Sequence, residues 1–285
     1  MEKIKVTIIT ASYNAKKTIE QTISSIVHQD YPNIEYIVVD GGSTDGTVEI
    51  IKKYEPYGVK WISEPDQGLY DALNKGLQLA TGDYVEIIGA DDSLTRADII
   101  SRVVSEMEPD TDILCGQEWL VDEAQKTQIP YTNTIARNKS TYYGGMIPHA
   151  AMFVRRSLFR RYSFDTSYRI AADYKFFLRC YYDESVRIQY SDTMVVFFSI
   201  SGMSSHVEAC WGEDNRIYQE LGLPFCSPDY SHLVFPIRWL KKGLVAFRLF
   251  IPIRKIWHCV RTKIFWEKHI CTNKICRWCG RMERD

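Results

Sequence analysis

Two adjacent carboxylates, Asp91 and Asp92, follow an apolar run in IIGADD, and two more, Asp40 and Asp45, sit in VVDGGSTDGT. Carboxylate oxygens suit hard divalent cations such as Mg²⁺ or Mn²⁺, which also bind phosphate oxygens. In such a pair one carboxylate binds the ion directly while its neighbour holds a ribose hydroxyl or a metal-bound water. An Asp-Asp cap on a helix starting near Leu94 would use the same residues. Asp40 ends an apolar strand, where a carboxylate is costly unless it meets a donor such as a base N–H or a ribose hydroxyl. Gly41-Gly42 lets the backbone approach a ligand closely, and a plain turn would use the same two residues. The segment EPDQGLYDALNKG carries Asp66, Asp71 and Lys75. Lys75 would reach a diphosphate, or would pair with Asp71 on a solvated helix face, four residues apart. Together these acidic and glycine residues fall where a sugar nucleotide would need them.

Three apolar runs, residues 6–10, 36–39 and 84–88, each end in small or acidic residues. Continuous apolar runs read as buried parallel strands, and open α/β sheets bind ligands beyond the carboxyl ends of their strands. Asp40, Asp45 and Asp91–Asp92 are therefore expected to converge on one crevice. Helical spacing of Ile19, Ile23, Ile26 and Val27 predicts a helix after residue 18. A second helix carries Val48, Ile51 and Tyr54, with Thr44 or Asp45 as its cap, and a third spans 71–80. Strands are expected at 34–40 and 60–63. This βαβα order predicts a mostly parallel sheet with right-handed crossovers. Later, strands are expected at 113–121, 150–154 and 194–200, a polar loop at 131–145 and a helix at 173–182.

The 285 residues, 45% of them hydrophobic, can bury a substantial core. The formal net charge of −1 conceals an uneven distribution: residues 233–285 hold 13 Lys and Arg against 3 Asp and Glu, and the first 232 residues hold 22 against 33. An acidic body argues against a nucleic-acid binder, while a basic tail suits an anionic surface. MEKIKVTIIT has no apolar signal core, and no apolar run approaches the ~20 residues of a spanning helix. The eight cysteines form no obvious disulfide framework, so a reducing cytosol is expected.

With these residues in view, VTIITASYN, VVDGGSTDGT, SEPDQGLYDALNKG and GADD resemble the nucleotide-sugar half of a family-two inverting glycosyltransferase of the GT-A fold. The likeness is greatest to bacterial enzymes that build O-antigen, capsule or exopolysaccharide. It extends more weakly over residues 144–205 and stops near residue 233. The resemblance implies a nucleotide-sugar-binding half (1–100) and an acceptor-binding half with the catalytic base (101–232), and the basic, amphipathic sequence beyond them is expected to form a membrane-associating tail (233–285). It implies that Ser12, Tyr13 and Asp40 bind the nucleoside. Asp91 and Asp92 would hold the metal–diphosphate and ribose, with Asp92 the more direct ligand. In IPHAAMFVRRSLF and FDTSYRIAADYKFFLR it implies Asp173 as base. An inverting transfer needs one carboxylate to deprotonate the attacking hydroxyl; an N-cap aspartate would look the same. His149 either lines the donor or acceptor pocket or is a hydrogen-bonded structural histidine.

The reading is a UDP-sugar-dependent transfer of one sugar, with Mg²⁺ or Mn²⁺, to a lipid-linked glycan at the cytoplasmic face of the membrane. The Q-x-x-R-W motif of processive synthases is absent. A nucleotidyltransferase would carry a basic glycine-rich loop after the first strand, where TASYNAKK stands, and a dinucleotide oxidoreductase a GxGxxG there. A non-catalytic sugar-nucleotide-binding subunit would lack a working base. In the tail, Leu240, Leu244, Phe247 and Ile251 share one helical face, and Ile253, Trp257, Val260 and Ile264 another beyond Pro252. Two basic amphipathic helices of this kind would lie in a membrane interface, or pack on the catalytic body. His269, Cys271, Cys276 and Cys279 match no standard zinc spacing.

Overall fold

The computed structural model describes residues 4–124, 126–133, 136–137, 147–200 and 207–223, together with three two-residue strands at Glu267–Lys268, Ile275–Cys276 and Arg281–Met282. The expected tail helices and the Cys/His cluster otherwise lie outside the described residues.

The first half follows the sequence closely. β1 (Val6–Ser12), β2 (Ile34–Asp40), β3 (Lys60–Ser63) and β4 (Tyr84–Ile87) form a parallel block in the order β3-β2-β1-β4. β1, β2 and β4 are buried on both faces, which is why their runs are continuous rather than alternating, whereas β3 lies at the sheet edge with Lys60 and Ser63 exposed. Ile8 and Val38 face one core, shared with α1 (Ile19–Val27), α2 (Thr47–Lys52) and α4 (Ile99–Glu106). Ile9, Ile37 and Val39 face the other, shared with α3 (Leu69–Leu79), α5 (Arg156–Arg161) and α6 (Ala172–Tyr181).

The sheet then continues without a break into the second half. β5 (Ser93–Leu94), β6 (Ile113–Asp122), β7 (Thr127–Tyr131), β8 (Met152–Arg155) and β9 (Ile188–Ser199) join it, bringing it to ten strands with the Glu267–Lys268 segment. β8 pairs antiparallel with β4 and with the start of β6. β6 and β9 run parallel, with register shifts between Cys115 and Glu118. A last helix, α7 (Val207–Glu220), packs Ile217 and Tyr218 onto the α6 side.

Several boundaries differ from the sequence expectation. No helix starts near Leu94: Leu94 lies in β5, paired with Val196 of β9, and the helix begins at Ile99. The Asp91–Asp92 pair is therefore not a helix cap. The strand expected at 150–154 starts at Met152, behind a 3₁₀ turn at His149–Ala151. β7 ends at Tyr131, inside the expected loop, and carries Pro130.

Candidate functional site

The carboxyl ends of β1, β2 and β3 form one row across the sheet, Ser12 beside Asp40 beside Ser63. Asp40 is fully buried, and its required donors come from the protein itself. Oδ2 accepts the N–H groups of Gly42 (3.1 Å) and Ser43 (2.8 Å) and the Ser63 hydroxyl (2.7 Å), and Oδ1 accepts from Ser12 (3.1 Å) and the Ser43 hydroxyl. The carboxylate thus folds the GGS turn back over the strand end. Asp45 does the same for the next loop, taking the Lys16 N–H (3.1 Å) and both the N–H and hydroxyl of Thr47, bonds that lower its pKa with the Thr47 hydroxyl contributing most. Neither Asp40 nor Asp45 is among the residues lining the adjoining cavity.

That cavity, of about 1180 Å³, opens beyond the strand ends. Ser12, Tyr13 and Asp66 line one end, Asp91 and Asp92 the middle, and His149, Arg169 and Asp173 the far side. Tyr13 is 67% exposed, presenting its ring to whatever enters. Asp66 accepts the Gly68 N–H (2.8 Å), and its carboxylate lies where a side chain on Gly41 would sit. Gly41 is needed for that close approach, and Gly42, at φ +81°, for the turn itself.

Gly89 plays the matching part at the Asp91–Asp92 loop: an added Cβ would lie 2.6 Å from Asp92 Oδ2 and 3.1 Å from Asp91 Oδ1. The two carboxylates have different surroundings. Asp92 is 2% exposed; its Oδ2 accepts the Gly89 N–H (3.1 Å) and its Oδ1 the Ser199 N–H (2.7 Å), while its carbonyl accepts the Thr22 hydroxyl (2.6 Å). It ties the loop to α1 and β9. Asp91 is half-buried on the same loop. Behind Asp92, burial and then the Asp92 charge push Glu118 well above the ordinary carboxylate range, so it adds a neutral acid there.

Lys75 is not brought into the cavity. Its ammonium contacts Glu64 (2.9 Å), the Pro65 carbonyl (3.2 Å) and Asp71 (3.4 Å), the last being the helix pair that the spacing allowed. These contacts hold the loop ahead of α3.

Asp173 is the second residue of α6, whose cap is Ala171. Its Oδ1 accepts the Tyr174 N–H (2.8 Å) and the Tyr70 hydroxyl (2.9 Å), and its Oδ2 lies 3.8 Å from His149 Nε2. The His149 ring also packs edge-on against Phe198, 5.1 Å between centroids. Sequence reasoning missed Tyr70, Arg169, Glu213 and Asp214. Tyr70 was visible as the buried-face neighbour of Asp71, but nothing local joins it to a residue a hundred positions away.

Chemically, four carboxylates (Asp66, Asp91, Asp92, Asp173) and one guanidinium (Arg169) line the cavity among the described residues. The described lining is therefore net acidic, and a diphosphate would meet repulsion from it. No cluster of three or more His, Cys, Asp or Glu residues forms a cage among the described residues. Mg²⁺ characteristically binds through one or two carboxylates plus waters and substrate phosphates, and the Asp91–Asp92 loop fits that pattern.

Residues 7–166 match the family described as glycosyl transferase family 2. A PGL/p-HBAD biosynthesis glycosyltransferase of Mycobacterium bovis (strain BCG / Pasteur 1173P2) is 31% identical over 216 residues, covering 70% of this chain and 79% of the relative. S. aureus TarS 1-349 in complex with UDP aligns with a TM-score of 0.58 at 21% identity, over 76% of this chain and 65% of that one. The mannosyltransferase PcManGT from Pyrobaculum calidifontis, in complex with GDP-Man and Mn²⁺, aligns at 0.62 and 18% identity, over 90% and 83%. These solved structures share the fold of the sheet and its flanking helices.

Proposed function

Because the chain belongs to glycosyl transferase family 2 and has the GT-A fold, we propose that it moves one sugar from a UDP-sugar to a hydroxyl of a growing, lipid-linked glycan with inversion of configuration. The observation that carries this reading is that Asp173, from the second half, lines the same cavity as Asp66 and the Asp91–Asp92 loop from the first. A donor-binding subunit has no use for that carboxylate.

Ser12, Tyr13 and Asp66 hold the nucleoside end, with Asp40 fixing the turn beneath it. Asp91 would hold Mg²⁺ or Mn²⁺ on the loop that Asp92 keeps in place, and such an ion would supply positive charge toward the departing diphosphate. Arg169 adds a fixed positive charge at the far wall. Asp173 takes the proton of the attacking hydroxyl, and His149, beside Oδ2, orients that hydroxyl by a hydrogen bond. The hydroxyl oxygen bonds to the anomeric carbon on the face opposite the leaving diphosphate, whose bond to that carbon breaks with its electron pair. No enzyme nucleophile takes part.

The reading is tested by screening UDP- and GDP-sugars for metal-dependent binding and hydrolysis, then comparing Asp173→Asn with the wild type. Asn is nearly isosteric but cannot accept the proton. Donor affinity is expected to stay within a few-fold while turnover falls by roughly 10²–10⁴. Retention of configuration in the product would remove direct displacement.

A further inference from the structure

The turn that leads into α6, residues 169–171, is held from two directions. Glu213 of α7 accepts the backbone N–H groups of Arg169 (2.7 Å), Ile170 (2.9 Å) and Ala171 (2.8 Å). Donors ahead of a helix have no intrahelical acceptor, and one carboxylate satisfies all three. From α3, the Tyr70 hydroxyl lies 2.6 Å from the Ile170 carbonyl oxygen and 2.9 Å from Asp173 Oδ1. Its ring is 3% exposed and packs on Phe164, 5.5 Å between centroids. A phenylalanine would supply that packing equally well; the hydroxyl has both its contacts on the base and its turn.

We propose that Tyr70 and Glu213 are positioning residues for the transfer, Tyr70 aiming the Asp173 carboxylate from the donor half and Glu213 fixing the turn that carries it. This rests on the reading of Asp173 as the base. The hydroxyl has one proton, shared between the carbonyl and the carboxylate. Burial, and then the charge of Asp173, hold the Tyr70 pKa well above its ordinary value, so the group stays a donor and does not compete for the acceptor's proton. Engaging Oδ1 directs proton uptake to Oδ2, the oxygen beside His149. The next residue of α7, Asp214, is pushed up to about 7 by burial, then by the charges of Asp173 and Glu213. It therefore carries a partial charge near neutrality and weakens the repulsion that a fully ionised neighbour would impose on Asp173.

The test is steady-state hydrolysis of UDP-glucose, UDP-galactose and UDP-N-acetylglucosamine with Mn²⁺, followed on whichever is turned over fastest, so that water replaces the unidentified acceptor. Tyr70→Phe and Glu213→Gln are each expected to lower kcat about ten- to hundredfold with the donor KM within about twofold. In an Asp173→Asn background, Tyr70→Phe is expected to cost less than about twofold more, because it acts through the carboxylate already removed. Circular dichroism melting checks the fold of each variant; if Glu213→Gln does not fold, Tyr70→Phe alone and in the double variant decides. Unchanged kcat in Tyr70→Phe, or a loss that multiplies with that of Asp173→Asn, overturns the inference. If Asp173→Asn itself keeps full kcat, it is the reading of the base that falls.

Discussion

Asp91 and Asp92 are adjacent in sequence and differ in burial, Asp91 half-buried and Asp92 almost wholly enclosed. Asp92 spends both carboxylate oxygens on backbone N–H groups of Gly89 and Ser199, and charge-assisted bonds of this kind contribute more than neutral ones. Asp92→Asn is therefore expected to destabilise the fold by about 1–3 kcal/mol in urea unfolding. Asp91→Asn is expected to weaken Mn²⁺-dependent UDP binding about tenfold or more by calorimetry. The reverse pattern would return the direct ligand to Asp92. At this scale the sequence identified positions better than partners. GADD and DGG stood out because a carboxylate closing an apolar run is costly unless it meets a donor, but whether it meets ligand or loop depends on neighbours far along the chain. Lys75 shows the same limit: its spacing from Asp71 was visible, while its contacts with Glu64 and Pro65 depend on how the loop folds back.

At the scale of elements, β4 contains an anomaly that its apolar run conceals. Glu86 sits between Ile8 of β1 and Phe153 of β8, fully buried, with neither carboxyl oxygen bonded. Burial pushes its pKa well above the ordinary 4.5. The native state therefore keeps a proton that the unfolded chain releases, and the sign follows: its contribution to stability is greatest in acid and is lost as pH rises above about 4.5. Glu86→Met, which fits the space without a polar end, is expected to stabilise the protein by about 1–3 kcal/mol, with the gain larger at pH 8 than at pH 5 in urea titrations. A gain independent of pH would mean that the carboxyl finds a partner in solution. β1, β2 and β4 were legible because doubly buried strands carry nearly continuous apolar runs. β5 and β7 were not: one is two residues long, and the other carries a proline usual only where a ladder bond is unnecessary. α4 was displaced in the reading because Asp-Asp before Leu94 looks like a cap when β9 is not yet in view.

Across the whole molecule, the sequence places an acidic body ahead of a basic tail, and no helix among the described residues is long and apolar enough to cross a membrane. If the tail meets an anionic surface, full-length protein should sediment with phosphatidylglycerol vesicles at low salt and come off as salt rises, and removal of residues 233–285 should abolish sedimentation. Binding that ignores salt would point to the apolar faces alone. The GT-A sheet was legible from the order of its first elements, whereas the joining of the two halves was not, because it is made by contacts of very long sequence separation. Those contacts share a trait. Asp92 grips the amide of Ser199, Tyr70 reaches the carbonyl of Ile170, and Glu213 takes three amides of the turn ahead of the base. In each case one partner is main chain, which every residue type except proline can offer in full. The side chain at 170 can thus change without loosening the frame, and an enzyme with this architecture can take new acceptors by changing its lining while it keeps the scaffold intact.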